Sequence, residues 1–237
     1  SIVAVGAPNN DGNGNDAGHV RIYENISDTW VQIGQDIDGE TAGDHSGNWS
    51  ICLNGDGSIV AIGATSNDGN GPMSGHVRVY ENISDTWTQI GQDIDGEAAG
   101  DASGWSVSLS NDGSIIAIGA DGNDGNGSDA GHVRVYQNQS GVWTQISQDI
   151  DGEAQGDASG KSVSISSDGM VVAIGAFLND GNGADAGHVR VYALTVDVDD
   201  LWKFDINIFP NPSNGLFTVT STEIYNISIF DISGKVI

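Results

Sequence analysis

Two sets of acidic loops recur along this chain, and the spacing of their oxygens is that of divalent-cation chemistry. The first set reads NDGNGND at Asn10–Asp16, NDGNGPM at Asn67–Met73, NDGNGSD at Asn123–Asp129 and NDGNGAD at Asn179–Asp185. An Asp and an Asn two residues apart, with glycines between and beyond, turn side-chain oxygens to one side of a tight turn, which suits Ca²⁺. The candidate ligands are Asp11, Asn13 and Asp16; Asp68 and Asn70, where Met73 replaces the third acid; Asp124, Asn126 and Asp129; and Asp180, Asn182 and Asp185. The same residues also build Asx turns that cap their own backbone, so both readings stand.

The second set reads DIDGETAGD, DIDGEAAGD and DIDGEAQGD. It supplies Asp36, Asp38, Glu40 and Asp44, then Asp93, Asp95, Glu97 and Asp101, then Asp149, Asp151, Glu153 and Asp157. Acids at relative positions 1, 3, 5 and 9 follow many EF-hand-like loops, although the glycine falls at position 4 rather than 6. The alternative is a solvated strand edge whose acids partner arginine. Arg21 is expected beside Asp36 or Asp38, and Arg78 beside Asp93 or Asp95, as structural ion pairs worth about 1 kcal/mol if exposed. His19, His76, His132 and His188 recur once per repeat, too far apart to share an ion with their own copies, and read as structural. Trp30, Trp87 and Trp143 are expected to pack between repeats. Trp49 and Trp105 align with Lys161, a position that tolerates charge, so these two indoles could face solvent and stack on sugar rings.

The elements that must position these groups are strands. Ile2–Ala7 (IVAVGA), Ile59–Ala64 (IVAIGA), Ile115–Ala120 (IIAIGA) and Val171–Ala176 (VVAIGA) each lead through one of the first loops into GHVRIY or GHVRVY, starting at Gly18, Gly75, Gly131 and Gly187. The glycines are 57, 56 and 56 residues apart, the extra residue being Asn48. A full copy holds strand a (Ser50–Leu53), an Asp56-Gly57 hairpin, strand b (Ser58–Ala64), strand c (Gly75–Tyr80) and strand d (Trp87–Ile94). Strand b is nearly all apolar, as expected of a strand buried on both faces. Strand c puts Val77 and Val79 on one face and His76, Arg78 and Tyr80 on the other. Four antiparallel strands per repeat of this period define an all-β, β-propeller-like array of four-stranded blades. It is expected to be incomplete, with about four repeats over 1–200 (1–46, 47–103, 104–159 and 160–200) and fourteen strands. A small C-terminal β domain follows at 206–237. In such a blade the b–c and d–a connections share one end, so one face should carry nearly all the acidic loops. Ser1 aligns with Ser58, inside a repeat, so the sequence reads as a fragment.

The formal net charge is −26, from 33 acidic and 7 basic residues. Such a surface repels nucleic acid and anionic lipid, and no apolar run is long enough to span a membrane. Cys52 is the single cysteine and takes the place of Ser108 and Ser164. A reactive thiol is not expected.

The repeat resembles the FG-GAP family, the blades of integrin-α-like propellers, through Gly104-Trp105-Ser106-Val107-Ser108-Leu109, Asp112-Gly113 and Ile116–Ala120. That family's calcium loop lies between strands a and b. Here this loop shrinks to Asn54-Gly55-Asp56-Gly57 and its copies, too short for an ion that wants six to eight oxygens, so the family's site is not carried over. The tail resembles the C-terminal sorting domain of the Bacteroidetes type IX secretion system, through FPNPSNG (Phe209–Gly215) and IFDISGKVI (Ile229–Ile237). The resemblance implies the type IX machinery as a partner and a secreted or outer-cell-surface location.

The expected function is a secreted or cell-surface binding or adhesion module for an extracellular protein or glycan, stabilised by Ca²⁺ on its acidic face. The alternative is a carbohydrate-binding or accessory module of a larger secreted polysaccharide-acting protein. Catalysis needs a unique set of groups with separate roles. The acids repeat almost unchanged, so no enzyme activity is expected.

Overall fold

The computed structural model describes residues 1–194, 207–209 and 218–220. Residues 1–194 contain seventeen strands and no helix. They form four antiparallel sheets, one per repeat. The first holds β1 (Ile2–Ala7), β2 (His19–Ile26), β3 (Thr29–Gln32) and β4 (Ile37–Asp38); the second holds β5 (Ile51–Leu53), β6 (Ile59–Ala64), β7 (His76–Asn82), β8 (Trp87–Gln89) and β9 (Ile94–Asp95). The third holds β10 (Ser106–Leu109), β11 (Ile115–Ala120), β12 (His132–Gln139), β13 (Val142–Gln145) and β14 (Ile150–Asp151); the fourth holds β15 (Ser159–Ile165), β16 (Val171–Ala176) and β17 (His188–Ala193). A separate unit, Thr195–Ile237, contributes β18 (Asn207–Phe209) paired antiparallel with β19 (Thr218–Thr220). The expected strand replacements after Leu194 and the Ile229–Ile237 segment lie outside the described residues.

Strand d is not the single run expected over Trp87–Ile94. It breaks into β8 and β9, and likewise into β3/β4 and β13/β14, which accounts for seventeen strands where fourteen were expected. Gly34 and Gly91 sit at the first two breaks with φ of +69° and +74°, and Ser147 takes the same place in the third. Past the break, β9 rejoins the sheet at the start of β7, with His76 opposite Asp95 and Val77 opposite Ile94.

The second and third sheets bury both faces against their neighbours, which is why strand b carries no alternation there, while the first and fourth each leave one face open among the described residues. Val133 and Val135 of β12 join Ile115, Ala117, Val172 and Ile174 between the third and fourth sheets. On the opposite face, Tyr136, Ile116, Ile118 and Trp143 meet Val77 and Val79 of the second sheet. Val20 and Ile22 meet Ile62, Tyr80 and Trp87 in the same way. Trp143 is 4% exposed and its Nε1–H donates to Ile90 O in the preceding sheet at 2.9 Å; Trp87 does the same to Ile33 O. Trp30, expected between repeats, is instead 49% exposed, because no earlier sheet stands against it among the described residues.

Strands a run along the inner edge of the stack and bind one another. The Ser108 hydroxyl accepts the Ile165 amide at 3.0 Å, and Cys52 Sγ accepts the Leu109 amide at 3.4 Å. This explains a lone cysteine in a serine column: sulfur does the serine's work. Burial pushes its thiol pKa up, which keeps it protonated and unreactive. The short a–b turns are braced internally and linked to one another, Gly55 N donating to Asn111 O and Asn111 N to Ser167 O, each at 2.9 Å. Asp112 Oδ1 accepts the Ser114 amide and both the Ser110 and Ser114 hydroxyls, which holds its carboxyl below the usual range.

Candidate functional site

The b–c loops and d–a connections do lie at one end, tied together by hydrogen bonds. The Asn13 amide donates to the carbonyls of Gly39 and Glu40, Asn70 donates to Gly96, and Asn126 donates to Gly152 and Glu153. Asn182 sits at the matching place in the fourth loop. Asp11, Asp68, Asp124 and Asp180 each accept, through Oδ1, the backbone amide five residues on, at Asp16, Met73, Asp129 and Asp185. Asp16, Asp129 and Asp185 take left-handed backbone conformations with φ of +51° to +54°.

The acids of one d–a connection go to different places. Asp44, Asp101 and Asp157 are buried and cap the connection itself, accepting the amides of Thr41, Ala98 and Ala154. Asp38, Asp95 and Asp151 offer their backbone carbonyls to Arg78, Arg134 and Arg190 of the following sheet. Glu40, Glu97 and Glu153 reach forward to the same arginines, at 3.8, 3.4 and 3.7 Å. Asp36, Asp93 and Asp149 stay within their own sheet and accept Gln32, Gln89 and Gln145. The arginine reading is therefore corrected for Arg78, which bridges to the preceding sheet rather than to Asp93 or Asp95. Arg21 alone keeps its expected partner: its Nε and NH2 donate to the two oxygens of Asp36 at 2.9 and 2.7 Å.

That pair has a pH signature. The Arg21 guanidinium, followed by Gln32, holds the Asp36 carboxyl down at about 2. A carboxylate depressed in the folded state contributes stability above its unfolded pKa, near 4, and loses it as pH falls toward 2. Asp36→Asn is expected to lower stability at pH 7 modestly, because the pair is half exposed, and to leave it nearly unchanged near pH 2, so that this part of the acid dependence disappears. Urea melts between pH 2 and 7 read it directly; an unchanged acid limb in the variant would overturn it.

The register also assembles groups that the sequence reading kept apart. His76 and His132 lie on the same face of strand c as Arg78 and Arg134, and each is flanked by an aspartate of its own sheet and a glutamate of the preceding connection. Glu40, His76 and Asp93 form one group, Glu97, His132 and Asp149 a second, and His19, Asp36 and Asp38 a third within the first sheet. These acidic and histidine groups could hold a metal ion. The histidines are a blade apart from their copies, as expected, but their partners are not copies. The signal in the sequence was the His-x-Arg pair on one strand face, which forces the histidine toward whatever the arginine bridges.

A different cluster lies beside the inner edge, at the same acidic end. The Trp49 and Trp105 rings stack with centroids 6.3 Å apart and planes 13° from parallel. Lys161 Nζ lies 3.2 Å from the Trp105 ring centre, 2.6 Å from Asp121 Oδ2 and 5.7 Å from the Phe177 ring centre. Trp49 is 76% exposed.

Stacked antiparallel sheets, each spanning one repeat and packed face to face on the next, define a β-propeller-like repeat protein. The FG-GAP repeat model matches residues 94–136, and the Secretion system C-terminal sorting domain model matches residues 207–237. The sorting domain marks the protein for type IX export to the cell surface or extracellular space. No curated protein matches the chain. Among solved structures, Kuenenia stuttgartiensis hydrazine synthase is similar at 14% identity and a TM-score of 0.44, over 74% of this chain and 40% of that one. A chain of the complex of KlAtg21 with the coiled coil of AgAtg16 is similar at 12% identity and 0.49, over 86% and 57%. Kluyveromyces lactis Hsv2p is similar at 15% identity and 0.44, over 78% and 46%. The chain spans about half the length of these structures.

Proposed function

We propose that this protein is a non-enzymatic binding module displayed outside the cell, and that its ligand site is the rim formed by Trp49, Trp105, Lys161, Asp121 and Phe177. One observation carries the reading: residues that break the repeat collect there. Trp49, Trp105 and Lys161 occupy one alignment position, and Thr65, Asp121 and Phe177 another, while the strands that support them are nearly identical. A scaffold needs its repeated residues; a site for one ligand needs unrepeated ones. Trp49 adds support, because it holds φ at +64°, where a bulky side chain costs about 1–2 kcal/mol. Strain of this kind clusters at functional sites.

The ligand chemistry that fits is a neutral glycan. An open indole face stacks on a sugar ring, and the net charge of −26 disfavours acidic polysaccharides. Lys161 is already paired, so it orients rather than attracts charge. Ca²⁺ has the supporting role of stiffening the acidic end through the all-oxygen Asp and Asn loops, a role read from their donor types alone. The experiment is a panel of soluble neutral and acidic polysaccharides titrated against the intrinsic tryptophan signal, with and without Ca²⁺. Saturable quenching by a neutral member, lost in Trp105→Ala, is expected. Quenching by none of them, or by acidic members alone, would overturn the glycan reading.

A further inference from the structure

We propose that the Glu97–His132–Asp149 group, and its copy Glu40–His76–Asp93, are sites for a borderline divalent cation such as Zn²⁺ that bridges adjacent sheets. The argument starts from an orphaned atom. His132 is 1% exposed, and its Nδ1 has no hydrogen-bond partner. That atom points at Asp149 Oδ2, 3.7 Å away, and at Glu97 Oε2, 4.0 Å away. Both distances are too long for hydrogen bonds. They match an empty coordination polyhedron better: two ligands about 2.1 Å from a tetrahedral ion stand about 3.4 Å apart. All three ligand atoms lie within 4.8 Å of one another, and the two carboxylates close the site by drawing inward.

The other oxygens are already committed, and in a way that aims these two inward. Gln145 Nε2 donates to Asp149 Oδ1 at 2.7 Å, and Arg134 NH1 lies 3.4 Å from Glu97 Oε1. Such outer partners are what orient carboxylate ligands at metal centres. In the copy, Gln89 holds Asp93 Oδ1 while Asp93 Oδ2 and Glu40 Oε2 face His76 Nδ1 at 3.9 and 3.8 Å. Burial, then the neighbouring arginine, lowers the pKa of both histidines, favouring the neutral imidazole that ligates. A nitrogen among two carboxylates selects Zn²⁺ over the all-oxygen preference of Ca²⁺. In the His19 group Arg21 already occupies both oxygens of Asp36, so it is left out. Because the glutamate comes from the preceding connection, the ion binds only the assembled stack and stabilises it by linkage. This site is independent of the glycan rim.

The test uses the untagged full chain, stripped with chelator and titrated with Zn²⁺ by calorimetry, with metal content measured after dialysis. Ca²⁺ and Mg²⁺ titrations run in parallel. About two equivalents of Zn²⁺ are expected, one per group, with a rise in Tm on the order of 5 °C at a hundredfold excess over Kd. Glu97→Gln is expected to leave one equivalent, and the double variant with Glu40→Gln none. His132→Gln should match Glu97→Gln; if it fails to fold, the more exposed glutamate variants carry the test. No Zn²⁺ uptake, full uptake by the folded double variant, or displacement by equimolar Ca²⁺ would each overturn the proposal.

Discussion

Gly119→Ala lowers the stability of the stacked sheets by about 3 kcal/mol, while Gly175→Ala costs well under half as much. These glycines occupy the same place in the IGA motif, at the end of strand b. Their backbone is ordinary extended strand, so the requirement is steric rather than conformational. A Cβ on Gly119 would overlap the carbonyl oxygen of Gly160 in the next sheet, and one on Gly63 would overlap Gly104 in the same way. The opposing group is backbone and belongs to another ladder, so relief means moving one sheet away from its neighbour. Overpacking of this kind typically costs about 1–3 kcal/mol, and a backbone obstacle puts it at the upper end. At Gly175 the obstacle is the Ser162 hydroxyl, which can rotate, and the nearest backbone atom is 3.8 Å away. Denaturant midpoints for the two variants decide the matter. Equal losses would mean that the sheets are not stacked through this contact.

Trp143→Ala and Trp87→Ala should each cost about 3–5 kcal/mol, the usual loss for a buried Trp, and Trp30→Ala less than about 1 kcal/mol. The three residues occupy the same position of the repeat, each two residues before a Gln-Ile pair, and differ chiefly in whether a preceding sheet covers them. Trp143 leaves a cavity against Val77, Val79 and Ile94 and strips Ile90 O of its donor. Trp30 leaves only an open surface. Comparable losses at all three positions would contradict the packing described here.

Most of the architecture was legible because the chain repeats its own instructions. The nearly all-apolar IVAIGA strands and the alternation in HVRVY identify strands b and c, and parity alone places nearly all the acidic loops at one end. What could not be read was anything that depends on a neighbour. Gly34 and Gly91 at the break in strand d let the next sheet's c–d turn approach, but the third sheet breaks at the same place with Ser147 there, so no residue type in one repeat announces the break. Arg78 was assigned to acids of its own sheet, because a single repeat gives no measure of how far the preceding connection reaches. For the same reason His76 and His132 looked structural: their partners, Glu40 and Glu97, are thirty-odd residues away and belong to another repeat. Trp49 and Trp105 were visible as exceptions to the repeat, but their stacking on one another and on Lys161 needs the offset between sheets.

The measurement closest to the central claim compares binding by Trp49→Ala and Trp30→Ala. Both remove an exposed indole, so stability and bulk hydrophobicity change little in either. The glycan identified by the polysaccharide panel is titrated by calorimetry against the parent chain and both variants. The rim account predicts at least a tenfold loss of affinity for Trp49→Ala, about 1.4 kcal/mol, and none for Trp30→Ala. Unchanged binding by Trp49→Ala, or an equal loss at Trp30, would contradict it.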